Sequence, residues 1–148
     1  MTEETFEAYA YNAMDAIVKR HEHPHPYYDP TEISDWRIDE TSKRAAFVLA
    51  EQIDTDRSEN GIGWLGDEFR VSLWYLESYQ EPRMLYKDEA WAKFYPDSFN
   101  LISGRVPSIE LVSVETDGIV IKAYSEKEQK KKEMKIGFDG TVEKYMGE

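Results

Sequence analysis

The three histidines of the chain, His21, His23 and His25, sit at alternate positions in "HEHPHPYYDP", residues 21–30. In an extended strand alternate residues face one way, so three imidazoles at this spacing could converge on one metal ion. Asp29 could supplement them from the same segment. Pro24 and Pro26 work against that geometry. Each removes a ladder donor and pushes the residue before it toward polyproline II, where side chains repeat every three residues. A plainer reading therefore stands beside the metal site. His21 complements the dipole at a helix end, "HPHP" is a stiff connector, and "YYDP" leads into the next element.

"GIGWLG", residues 61–66, has the spacing of a dinucleotide-binding loop but the wrong surroundings. A buried strand should precede it, and "DTDRSEN" does; a phosphate-receiving helix start should follow, and Asp67 and Glu68 put two negative charges there. Thiolate chemistry, disulfides and iron–sulfur clusters are excluded because the chain has no cysteine. Neither a P-loop nor a G-x-S-x-G elbow is present. Among 30 carboxylates some pairs must lie close, as Asp54/Asp56, Asp67/Glu68 and Asp88/Glu89 do in sequence. Only a pocket that shifts a pKa would make such a pair catalytic. The reading leans away from an enzyme and expects no cofactor.

Charge and aromatic content point elsewhere. The net charge is −12, with −9 carried by residues 1–74 and −3 by residues 75–148. Such a field repels nucleic acid and anionic lipid and favours a basic protein partner. The one lysine-rich run, "EKEQKKKEMK" at 126–135, is interleaved with glutamates and reads as a solvated hairpin tip that discourages edge pairing. Twenty aromatic residues in 148 exceed what one core easily hides, so some are expected at the surface, where Trp and Tyr anchor interfaces. The best local cluster is Tyr27, Tyr28, Asp29, Glu32, Asp35 and Trp36, on and after the proline-stiffened segment.

The elements that would position these groups follow from periodicity. Phe6, Tyr9, Ala10, Ala13, Met14, Ile17 and Val18 mark a helix, with Thr2 as its cap, Glu3 and Glu4 at its positive end, and Lys19, Arg20 and His21 at its negative end. "DPTE" at 29–32 has the form of a capping box and predicts a short second helix carrying Ile33 and Trp36. Residues 39–53 read as a third helix, with a buried strand at "AAFVLA" as the alternative. "EFRVSLWYLE" reads as a strand, with a helix as the alternative, and "KDEAWAKFYP" as a short helix. "SIELVSVE", "IVIKAYSE", "EMKIGF" and "TVEKYM" are four strands, with "TDG" and "FDG" as hairpin signals.

The expected fold is a single α+β domain, residues 1–148, with two or three N-terminal helices packed on an antiparallel sheet that ends in a C-terminal β-meander. The order is compatible with a cone-shaped, cystatin-like or nuclear-transport-factor-like layout, an analogy of architecture that carries no function. The leading functional expectation is a small acidic binding protein, of the inhibitor, immunity-protein or nucleic-acid-mimic kind, that neutralises a basic partner. A small-molecule-binding or acid–base pocket protein and a structural homo-oligomer, such as a homodimer, are the alternatives. The start of the chain lacks the features of a signal peptide and no apolar run is long enough to span a membrane, so a cytoplasmic protein without direct nucleic-acid contact is expected.

Overall fold

The computed structural model describes residues 5–22, 31–53, 66–95, 100–104, 107–125 and 128–146. Helix α1 spans Phe6–His21 and buries the expected stripe, Phe6, Ala10, Met14 and Ile17. Its cap is Thr5, whose Oγ1 accepts from Ala8 N at 3.1 Å, rather than Thr2, which lies outside the described residues. A second anchor comes from far along the chain: Glu40 accepts from Phe6 N at 3.2 Å and Glu7 N at 2.9 Å. These are backbone donors that a helix start cannot satisfy internally.

Nine strands follow among the described residues: β1 Glu32–Asp39, β2 Arg44–Ile53, β3 Gly66–Glu77, β4 Arg83–Tyr95, β5 Asn100–Gly104, β6 Ile109–Glu115, β7 Gly118–Ser125, β8 Lys130–Ile136 and β9 Val142–Met146. They form two antiparallel meanders, a five-stranded sheet β1-β2-β3-β4-β5 and a four-stranded sheet β6-β7-β8-β9. The fold is α+β with the expected C-terminal meander, but the described residues hold one helix rather than two or three.

Each replaced helix has a physical reason. Ile33 and Trp36 lie three apart, a helical spacing, because the β1–β2 register shifts between Ile33 and Asp35. A bulge there inserts an extra residue and breaks the alternation. In β2, Ala45, Phe47 and Leu49 pack against α1 while Ala46 and Val48 pack against the second sheet. A strand buried on both faces has no alternation to read. "KDEAW" lies inside β4, where Asp88 is buried opposite Val71 and its neighbours Lys87 and Glu89 are exposed. A polar residue on the inward face disguised the strand.

The result is three layers. Helix α1 covers one face of the first sheet through Phe47, Leu49, Trp74 and Leu76. The second sheet covers the other face, with Val48, Leu73 and Tyr75 meeting Ile119, Ile121, Met134 and Ile136. Tyr75 stacks on Phe138 with ring centroids 4.4 Å apart. Burial, and then the charge of Glu77, push its hydroxyl up to about 12. Gly140, at φ +89°, lets the last turn approach strand β4, since a Cβ there would lie 3.0 Å from Leu85 O. Strand β6 is the edge of the second sheet beside β1, and that junction positions the candidate site.

Candidate functional site at the β1 rim

Among the described residues strand β1 is an edge strand of the first sheet, and it has a recess on each side. On the α1 side Trp36 is 46% exposed and Tyr11 47% exposed. They flank a shallow groove of about 230 Å³ together with Met14, Asp15, Val18 and Ile33. The opposing register of Trp36 with Phe47 and of Ile33 with Leu49 puts both β1 side chains on the helix face of the sheet. Tyr11 sits just off the buried stripe of α1 and lines the groove with Ile33 and Trp36.

On the other side a cleft of about 440 Å³ opens between the two sheets, lined by Ser34, Asp35, Ala50, Val71, Pro107, Ser108, Ile109 and Glu110. Side chains from the first sheet hold the unpaired edge of β6 here. Asp35 Oδ2 accepts from Leu111 N at 2.9 Å, and Arg37 Nη2 donates to Leu111 O at 3.1 Å. Asp88, only 5% exposed, accepts from Ser108 N at 3.2 Å. An edge strand presents donors and acceptors that must be met, and these three side chains meet them.

An adjoining recess of about 120 Å³ shares Ala50, Val71 and Pro107 with the cleft and adds Glu51, Phe69 and Arg70. Glu51, Arg70 and Glu89 form one cross-strand row of alternating charge. Arg70 Nε donates to Glu89 at 2.9 Å, and Lys87 lies 3.0 Å from the same carboxylate. The Lys87 hydrogen bond first, and then Arg70, hold the Glu89 carboxyl below its ordinary value. Glu51 is 9% exposed, and its Oε2 has no hydrogen-bond partner among the described residues. Arg70 Nη1 stands 3.6 Å away, an ion-pair separation too long for a hydrogen bond.

The structure separates the residues singled out from sequence. Tyr27, Tyr28, Asp29, His23 and His25 lie outside the described residues. His21 ends α1 with its Nδ1 3.5 Å from Glu51 Oε1 and its ring edge-on to Trp74 at 5.6 Å. Among the described residues no three His, Asp or Glu side chains are gathered as metal ligands. Glu32 is exposed at the start of β1, Asp35 is committed to pinning β6, and Trp36 faces the groove. Sequence reasoning missed Tyr11, although a large ring just off the apolar stripe of a helix was the available signal. It also missed Ser108 and Glu110, which only the packing of two sheets brings to β1.

Glu51 and Asp88, the buried carboxylates among the described residues, lie in adjacent cross-strand rows on opposite faces of the first sheet. They therefore do not form one acid–base pair. The arrangement offers an apolar anchor groove and an acid-lined cleft on the two sides of one strand. No family model, curated protein or solved structure matches the chain.

Proposed function

We propose that the chain is a stoichiometric binding protein that neutralises or regulates a basic protein partner, in the manner of inhibitors, immunity proteins and nucleic-acid mimics, and that the β1 rim is its contact surface. The observation that carries this reading is the pair of half-exposed rings, Trp36 and Tyr11, beside an apolar groove on a chain of net charge −12. Desolvating two large rings supplies holding energy, while the net negative field speeds encounter with a positive partner. The cleft on the opposite side of β1 adds Asp35 and Glu110 to the same rim.

The reading makes a specific demand on salt and on one side chain. A basic protein should be retained by the immobilised chain from nuclease-treated lysate at low ionic strength and released as salt rises. Trp36→Ala should lose it at either salt. Retention that ignores both salt and Trp36 contradicts the proposal.

A further inference from the structure

The outer edge of β1 carries a self-complementary pattern. Lys43 O accepts from Ser78 N at 2.8 Å, so Lys43 and alternate residues after it, Phe47 among them, turn their backbone groups toward β3. Trp36 lies opposite Phe47, and its own N–H and C=O therefore point away from β2. Among the described residues no strand pairs with β1 on that side. Strand β6 touches β1, β2 and β3, and so lies under the sheet rather than beyond its edge.

A clasp of two side chains covers these backbone groups instead. Asp35 Oδ1 accepts from Trp36 N at 2.9 Å, and Arg37 Nη1 donates to Trp36 O at 2.8 Å and to Asp35 Oδ1 at 2.7 Å. The other ends of the same two groups, Asp35 Oδ2 and Arg37 Nη2, hold Leu111 N and O of β6. The Asp35 and Arg37 side chains are 27% and 48% exposed, and a pair so open to water is weakly held.

We propose that β1 pairs antiparallel with β1 of a second copy, with Trp36 on the two-fold axis. That register is the one in which Asp35 falls opposite Arg37 of the second copy, and Arg37 opposite its Asp35. Trp36 N–H and C=O then bond their counterparts across the axis, as a directly opposed hydrogen-bonded pair does. Asp35 Oδ1 and Arg37 Nη1, released from Trp36, re-form their ion pair between copies, while Oδ2 and Nη2 keep their hold on Leu111. The exchange leaves none of these polar groups bare. The gain comes from the two Trp36 rings, each 46% exposed, which meet side by side on the helix face beside Tyr11. The bulge before Asp35 keeps the pairing short, so the dimer is a weak one. It occupies the rim proposed above for a basic partner, and the two associations exclude each other.

Salt separates them. Two chains of net charge −12 repel, so self-association should strengthen as salt rises, whereas capture of a basic protein weakens. In sedimentation equilibrium the unmodified chain should climb toward twice its monomer mass with concentration, and climb further at high salt. A chain that stays monomeric at every concentration and salt overturns the inference. The register has its own check, because the chain has no cysteine. Trp36→Cys would put one thiol on the axis, where opposed Cα atoms about 5.5 Å apart suit a disulfide. Under mild oxidation it should link into dimers severalfold faster than Glu32→Cys, exposed at the start of the same strand. Equal rates overturn the pairing through β1. The sedimentation result stands even if Trp36→Cys fails to fold. Self-association in a chain that captures no basic protein keeps this inference and removes the proposed function; capture by a strict monomer does the reverse.

Discussion

At the scale of single residues, the most informative group is Glu40, a carboxylate in the turn between β1 and β2 that holds the start of a helix more than thirty residues earlier. Hydrogen bonds from Glu7 N and then Phe6 N keep its carboxyl below the usual glutamate value. The sign follows directly. A group whose folded pKa is depressed stabilises the fold above its unfolded value, about 4.3, and that stabilisation disappears as pH falls through the lower folded value. The urea midpoint of the wild type should therefore drop toward that of Glu40→Gln as the pH is lowered below about 4.3, and the two should converge in stronger acid. Parallel pH profiles would show that Glu40 carries no such linkage. His21 is another residue whose role exceeds its sequence pattern. Its ring packs on Trp74 and its Nδ1 faces Glu51, in addition to ending the helix. Its carbonyl accepts from Thr31 Oγ1 at 3.0 Å, fastening the helix end to the residue that precedes β1.

At the scale of elements, α1 is held by an apolar seam whose centre is Phe47, fully buried and stacked parallel to Trp74 at 6.1 Å. Phe47→Ala should cost about 3–5 kcal/mol in urea-induced unfolding, the range for removing a buried phenylalanine. A loss under about 1 kcal/mol would mean that the helix does not depend on this seam. How legible each element was follows from the same packing. Helix α1 was readable because one face alone is buried, and β6–β9 were readable because turn residues punctuate them, as at Gly118 after "TD" and Gly140 after "FD". Strands β1 and β2 were not. A bulge gives β1 a three-residue apolar spacing, and burial on both faces gives β2 an unbroken apolar run. The lysine-rich run is a strand more than a tip: residues 130–135 lie in β8, where Lys131 pairs with Glu110, Lys132 with Glu128 and Lys135 with Glu115. Of the candidate site, Trp36 was visible as a surface aromatic. Tyr11, Ser108 and Glu110 were hidden because contacts across two layers leave no local pattern.

At the scale of the whole molecule, strands β2 and β3 contribute to both cores, one under the helix and one between the sheets. Neither core can be lost while the other keeps its floor. Tryptophan fluorescence and far-UV ellipticity should therefore report the same urea midpoint, as in a two-state transition. Separated midpoints would show that the second sheet unfolds independently. No helix of the described residues is long and apolar enough to cross a membrane. The net charge of −12 sets the long-range field, and the β1 rim is the surface we propose for a partner drawn by it. The most direct measurement of that central claim compares wild type with Trp36→Ala, both confirmed folded, as baits in nuclease-treated lysate at low and high salt. Truncating a half-exposed ring should change stability by about 1 kcal/mol or less. It should weaken the complex by about 2 kcal/mol or more, roughly thirtyfold. One basic protein should be retained in near-equal amount by the wild type at low salt and be absent from the variant. Equal retention by both baits, or nothing retained by the folded wild type, would contradict it.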